Sequence, residues 1–348
     1  TMHVSKKIAF RLDDVFYEAL AQSEIIALES NPNTWLDTDM TMGFNFGESF
    51  LTKDFYSRAF ELSHPEKDEI AAYLGFDDQM VNGILYRTDE YSQNFEEDTY
   101  LDMFIYQAGA KFGKPIVALE DIEESSILVG RASFDAYKEK PAEWLQKKLQ
   151  QKDYVQLIQD AYRERNIDLL DSIAQGLYTE HYLKNMLYIR NENMVKKLDS
   201  VMQKAKVFTG IGAAHLPGKQ GVIELLRTKG YTVQALSSKT GPNGSLLKSK
   251  FETKVFQNRY TQQSVGDALF SILLPSKLYP VAEFSNTFYI SPDVTNGSFF
   301  SANRIPTFSH LKNNKAYTLD DIDELLFENI PGKIIQKTRI SRNGVEGI

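Results

Sequence analysis

The sequence predicts an α/β fold built on a parallel sheet, with a β-rich region at its carboxyl end. Three observations carry this. Residues 207–236 read as strand, Gly-x-x-His turn, helix and strand in immediate succession. Two other short apolar runs, Ile25–Leu28 and Ile116–Leu119, each end in a glutamate, Glu29 and Glu120. After Ser237 the texture turns to Ser, Gly, Pro and Lys, and then to short aromatic and β-branched runs.

The 207–236 unit is the clearest. Val207, Phe208 and Ile211 have the β-branched and apolar character of a buried strand. Gly210 and Gly212 allow a tight turn and close approach, and His215 follows, with Pro217 and Gly218 closing the loop. From Lys219 the period changes. Val222, Leu225 and Leu226 share a helical face, and Gly230 stops it. Residues 231–236 read as the next strand. In parallel α/β sheets ligands sit beyond the carboxyl ends of the strands, and His215 stands at such an end.

The chain opens with a looser copy. His3 precedes a helical pattern over Leu12–Ala21 and the strand ending in Glu29. The glycine and strand that should come before His3 are expected upstream of Thr1. Asn31–Gly47 reads as loop. Helices are expected over Phe55–Leu62, over 63–75 with Ser63 and Glu66 as a capping box, and over Asp77–Leu85. His64 has an ordinary place in the first turn of the second of these. Thr99–Phe112 is a strong helix stopped by Gly113 and followed by the strand ending in Glu120. A glutamate after a core strand is often only the first solvated residue; the recurrence is what draws attention to this pair.

Further helices are expected from Asp121, over Ala142–Ala161 and over Ile167–Gly176. Thr179–Lys204 is the longest helical pattern, with Leu183, Leu187, Met194, Leu198 and Val201 on one stripe. His181 lies off it. Arg190 lies on it. A guanidinium facing a core needs a partner, either a structural ion pair or a carboxylate or anion that it clamps with its planar fork. Asn191 and Asn193 flank it. Ser237–Lys250 reads as a linker. Beyond it come strands near 268–274, 287–290 and 298–301, a helix over Leu319–Phe327 with Thr318 as N-cap, and a final strand over Lys333–Ser341. His310 sits in a polar loop. The division expected is residues 1–240, a linker at 241–264, and an α+β region at 265–348 that is expected to be incomplete.

Composition narrows the function. The net charge is −8, with Lys and Arg scattered, which argues against nucleic acid as the partner. No cysteine is present, which excludes disulfides, a thiol nucleophile and a Cys zinc site. No apolar run spans a membrane. There is no Gly-x-Ser-x-Gly elbow, Walker loop or His-Glu-x-x-His helix. Gly210-x-Gly212 begins a dinucleotide fingerprint, but His215 replaces its third glycine. The groups at strand ends, His3, Glu29, Glu120 and His215, with Arg190 beside them, suit a divalent metal site. Such a site activates water, with a glutamate as base and an arginine for developing negative charge.

These residues resemble a known family. Gly210–Val233 is similar to the C-terminal signature of the TraB/GumN family, related to the PrgY pheromone-shutdown proteins and the Tiki Wnt proteases. Thr1-Met-His3 resembles its N-terminal Gly-Thr-x-His signature, and Leu28-Glu29 the acidic strand end that follows. Leu119–Glu124 resembles its central acidic stretch, and Arg190-Asn-Glu-Asn-Met194 its Arg-Asn-x-x-Met motif. The resemblance covers about residues 1–240. It implies a mainly parallel sheet with long helical insertions, like the erythromycin-esterase and ChaN proteins. It implies that both histidines, an acid and the arginine line one pocket, with His3, His215 and Glu29 as metal ligands. Glu29, Glu120 and Arg190 would be catalytic, supported by Gly212, Asn191 and Asn193. It further implies a divalent metal, Mn or Co favoured and Zn or Fe open, a peptide or protein substrate, and a place outside the cytoplasm. The region after about residue 265 resembles the start of a PsbP- or Mog-like domain.

Three functions stand against each other on this reading: a metal-dependent hydrolase, a peptidase first; a binding protein for haem, iron or a signalling peptide on the same fold; and an interaction module whose pocket is vestigial.

Overall fold

The structure, a computed structural model, describes residues 9–10, 12–35, 100–237, 241–265, 270–280, 288–303, 320, 323 and 335–348. The chain forms two compact units: 1–38 with 90–257 and 294–296, and 39–89 with 258–293 and 297–348. His3, His64, His310 and the helices expected within 55–85 lie outside the described residues. So does the helix expected over 319–327, apart from Asp320 and Asp323.

The first unit mixes helix and strand around a three-stranded parallel sheet. Its strands β1 (Ile25–Leu28), β2 (Ile116–Ala118) and β3 (Val207–Gly210) lie in the order β2-β1-β3. Ile26 pairs with Ile116 and Phe208, and Leu28 with Ala118 and Gly210. The strands run the same way, so Glu29, Glu120 and Gly212 all leave from one edge. The ladder continues past β2: Leu119 N–H donates to Leu28 O (2.7 Å) and Glu120 N–H to Glu29 O (2.9 Å).

Both faces are covered, which is why these strands are continuously apolar rather than alternating. Ile26 faces helix α2 (Leu101–Lys111), where a β-carbon on Gly109 would stand 2.4 Å from Ile26 Cγ1. Helix α1 (Asp14–Gln22) packs beside it through Tyr17 against Phe104. The carboxyl end of α1 is held by Lys114, whose Nζ donates to Ala21 O (2.9 Å) and Ser23 Oγ (3.1 Å), supplying a cation where the helix dipole favours one. On the opposite face Ala27 packs with Leu119, Met194 and Leu198.

Between β2 and β3 the chain is helical. Helix α3 (Ile122–Ser133) starts on Asp121, whose Oδ1 accepts from the N–H groups of Glu123 and Glu124 at 3.0 Å. The single helix expected over 142–161 is two, α4 (Glu143–Leu149) and α5 (Tyr154–Arg163), because Asp153 caps a new start by accepting from Gln156 N–H at 2.8 Å. Helix α6 (Ile167–Leu177) is capped likewise by Asn166. Helices α4 to α6 close a core of their own around Leu145, Leu157 and Ile173, against which Ala213 packs. The longest helix runs as α7 (Glu180–Leu183), a π-helical turn over Lys184–Tyr188, and α8 (Ile189–Met202). Among the described residues no helix is long and apolar enough to cross a membrane.

Two expectations fail near the end of this unit. Residues 231–236 form no strand: no described strand pairs with them, Leu236 is 70% exposed, and Arg227 Nη2 donates to Val233 O at 2.9 Å instead. They follow α9 (Val222–Thr228). The expected linker contains a helix, α10 (Pro242–Thr253), begun by a first-turn proline. It is anchored where Gly241 N–H donates to Asp14 Oδ1 (2.8 Å) and where Phe251, buried, meets the ring of Phe112 at 5.4 Å.

The described part of the second unit is antiparallel. β4 (Thr261–Val265) pairs with β5 (Phe270–Leu274), and β6 (Tyr279–Pro280), β7 (Phe288–Asp293) and β8 (Ser298–Asn303) follow in order. The final strand is shorter than expected: β9 (Ile340–Arg342) turns through Asn343 and Gly344, both at positive φ, into β10 (Val345–Gly347). Asn-Gly is the pair that a two-residue hairpin of this hand needs.

Candidate functional site

Strand ends and the longest helix meet at one edge of the parallel sheet. The centre is Arg190, in the first turn of α8 and buried. Its fork closes on Glu120: Nε donates to Oε1 and Nη2 to Oε2, both at 2.7 Å. Nη2 also donates to Glu29 Oε2 at 3.2 Å, and Nη1 to Met186 O at 3.1 Å. The arginine on the apolar stripe thus has two carboxylates for partners, one from each acid-ended strand. The π turn lies directly before it, a feature frequent at functional sites, and both Arg190 and Asn191 are buried after it.

The two carboxylates differ. The Glu120 side chain is 7% exposed and both its oxygens are held by Arg190; that of Glu29 is 27% exposed. Glu29 Oε1 accepts the backbone N–H of Gly212. Burial raises the Glu29 carboxyl, but its surroundings, with His215, the Gly212 N–H and Arg190 among the groups that lower it, bring it below the usual carboxylate range. Burial also raises Glu120, and there it prevails over Arg190, with Glu29 and Glu124 pushing the same way. The two carboxyls that share one arginine are thus shifted in opposite directions.

His215 ends a short 3₁₀ turn over Ala213–His215 and is 5% exposed. Its Nδ1 lies 2.6 Å from Asn191 Oδ1, and its Nε2 lies 4.0 Å from Glu29 Oε2. Burial takes its pKa down to about 4, against the pull of Glu29 and with the help of Arg190. The ring is neutral near neutral pH.

Gly212 acts here by its N–H. Its φ of −55° is open to any residue, so the turn itself does not call for glycine. Gly218 at φ +84° does. Gly210 matters by close approach, since a β-carbon there would stand 2.8 Å from Leu28 Cδ2.

A neutral, buried imidazole whose Nε2 faces a carboxylate held ionised is a donor set that fits a divalent metal. Among the described residues no group of three or more His, Asp or Glu side chains is placed to hold one. His215 and Glu29 are the two that approach each other, and His3 lies outside those residues.

Beside Glu120 a cleft of about 380 Å³ opens between α3 and α8. Leu119 and Leu128 give it an apolar lining, Asp121 and Glu124 stand on one wall, and Asn193, Lys196 and Lys197 on the other. Asn193 belongs to this cleft rather than to the arginine: its Nδ2 donates to Glu124 Oε1 at 3.2 Å. Glu124, Lys196 and Lys197 escaped the sequence reading as site residues. Glu124 was within reach, because it closes the acidic stretch that begins at Leu119. Gln220, whose carbonyl accepts from Asn191 Nδ2 at 2.7 Å, acts through its backbone and leaves no sequence signal.

Residues 1–235 match the model of the TraB/PrgY/gumN family. No curated protein and no solved structure matches the chain.

Proposed function

The chain belongs to the TraB/PrgY/gumN family, and from that premise we propose that it is a metal-dependent hydrolase acting on a peptide or protein segment. One observation carries the reading: His215 Nε2 and Glu29 Oε2 face each other at 4.0 Å, beside an arginine that Glu120 holds in place.

In this proposal His215 and Glu29 hold the ion, with His3 as a further ligand. The ion, Mn or Co first, would supply Lewis acidity and a water activated at neutral pH. The chain's own groups do the rest. Glu120 fixes the guanidinium of Arg190, whose charge stabilises the oxyanion that develops on the attacked carbonyl. Glu120 also borders the cleft, so the guanidinium it fixes is held next to a bound substrate. The apolar lining from Leu119 and Leu128 suits a side chain of that substrate, and the charged walls suit its backbone and termini. A dinucleotide or porphyrin would want an apolar slot, and the walls here are charged.

The test is a peptide-library cleavage screen with Mn or Co added, wild type beside His215→Ala. Cleavage by the wild type, reduced by about 100-fold or more in the variant, is the expected outcome for loss of a ligand. Cleavage that survives the change would sink the assignment.

A further inference from the structure

We infer that Asn191 is a positioning residue that sets the tautomer of His215, keeping the proton on Nδ1 and leaving Nε2 as a bare lone pair turned toward Glu29. Donors and acceptors decide the tautomer. An asparagine amide has one accepting oxygen and one donating nitrogen. Asn191 Nδ2 is committed to the carbonyl of Gln220 at 2.7 Å, which fixes which end of the amide is which. Oδ1 then points at His215 Nδ1, 2.6 Å away, and an oxygen can only accept. The neutral ring must put its single proton there.

The alternative tautomer loses on the same distances. A proton on Nε2 would face Glu29 Oε2 at 4.0 Å, beyond hydrogen-bond reach. It would also set a buried Nδ1 lone pair against the Oδ1 lone pairs at 2.6 Å. Asn191 itself is 2% exposed, so no water replaces either partner cheaply. The arrangement spans three elements: Asn191 on α8, Gln220 ahead of α9, and His215 in the 3₁₀ turn. Ligating histidines are oriented in this way by the partner of their other nitrogen. The use of that lone pair for a metal rests on the hydrolase reading; the tautomer does not.

The experiment reads the tautomer without metal. Full-length protein with ¹⁵N-labelled histidine is examined by two-bond ¹H–¹⁵N NMR at about pH 7.5, where the ring is neutral. The signal of His215 is identified by its loss in His215→Ala. Wild type is expected to show a protonated Nδ1 and an unprotonated Nε2. Asn191→Asp keeps an accepting oxygen and should keep the proton on Nδ1. Asn191→Leu removes the acceptor, and the proton should move to Nε2. The same change should weaken Mn or Co binding by about 10- to 100-fold. If wild type carries its proton on Nε2, or if a folded Asn191→Leu leaves the tautomer unchanged, the inference is wrong. If Asn191→Leu does not fold, the Asn191→Asp and wild-type spectra still decide it: a proton off Nδ1 in either overturns the inference. The expected tautomer in a wild type that binds no metal, with its loss in Asn191→Leu, would uphold the role of Asn191 and sink the hydrolase reading instead.

Discussion

At the scale of single residues the site is a set of polar groups that burial has forced into pairs. Arg190 could be singled out from spacing because a guanidinium on an apolar stripe must find partners; an orphaned buried charge costs about 3–5 kcal/mol. The sequence could not say which partners, since Glu29 and Glu120 are both more than sixty positions away and meet only through strand pairing. His215 yields a prediction about acid stability. Its pKa is about 4 in the fold and 6.5 in an unfolded chain. As pH falls through that window the unfolded state takes up the proton first, so stability falls from about pH 6.5 and the loss is complete below about pH 4. At 1.36 kcal/mol per unit, up to about 3 kcal/mol is at stake. Glu120, raised, works in the opposite sense near its own range. The measurement is therefore a difference: urea unfolding of wild type and His215→Leu from pH 7 to pH 4, in which the variant should show the shallower decline.

At the scale of elements, periodicity located α1, α2, α6, α9 and the helical run ending in α8, together with the three parallel strands. Its failures have local causes. Asp153 restarts a helix where the apolar pattern runs on. Residues 242–253 look like a linker because their composition is polar, yet Gly244 and Phe251 give α10 a face to bury. Asn343-Gly344 is a hairpin signal that the β-rich texture around it obscured. Gly109 tests how tightly α2 sits on the sheet. On an exposed helix, alanine in place of glycine gains up to about 1 kcal/mol. Here the new β-carbon would stand 2.4 Å from Ile26 Cγ1, on a strand residue with no exposure and no room to yield. Overpacking of that kind costs about 1–3 kcal/mol. Gly109→Ala should lower the thermal midpoint, where a solvent-facing α2 would raise it.

At the scale of the whole molecule, the first unit does not end where composition changes. It runs to residue 257 and takes in 294–296, whose Val294 O accepts from Gln107 Nε2 at 2.9 Å. A chain cut after residue 240 loses α10, uncovers the rings that Phe251 meets, and leaves Asp14 without the Gly241 N–H. One cut after 257 keeps all three. The longer product should melt higher and unfold more cooperatively, by calorimetry of the two side by side; equal midpoints would mean that α10 adds nothing to this unit. The architecture itself was legible because a parallel sheet covered on both faces must be written in continuous apolar runs. The cleft beside Glu120 was not, because its walls come from two helices whose exposed faces look like ordinary solvated surface.

The central claim is that His215 and Glu29 share a metal ion. The direct measurement is metal content by mass spectrometry after the protein is reloaded from a mixture of Mn, Co, Zn and Fe, wild type beside His215→Ala. The account predicts about one equivalent of one ion in the wild type and none in the variant. Equal metal in both proteins, or none in the wild type, would contradict it.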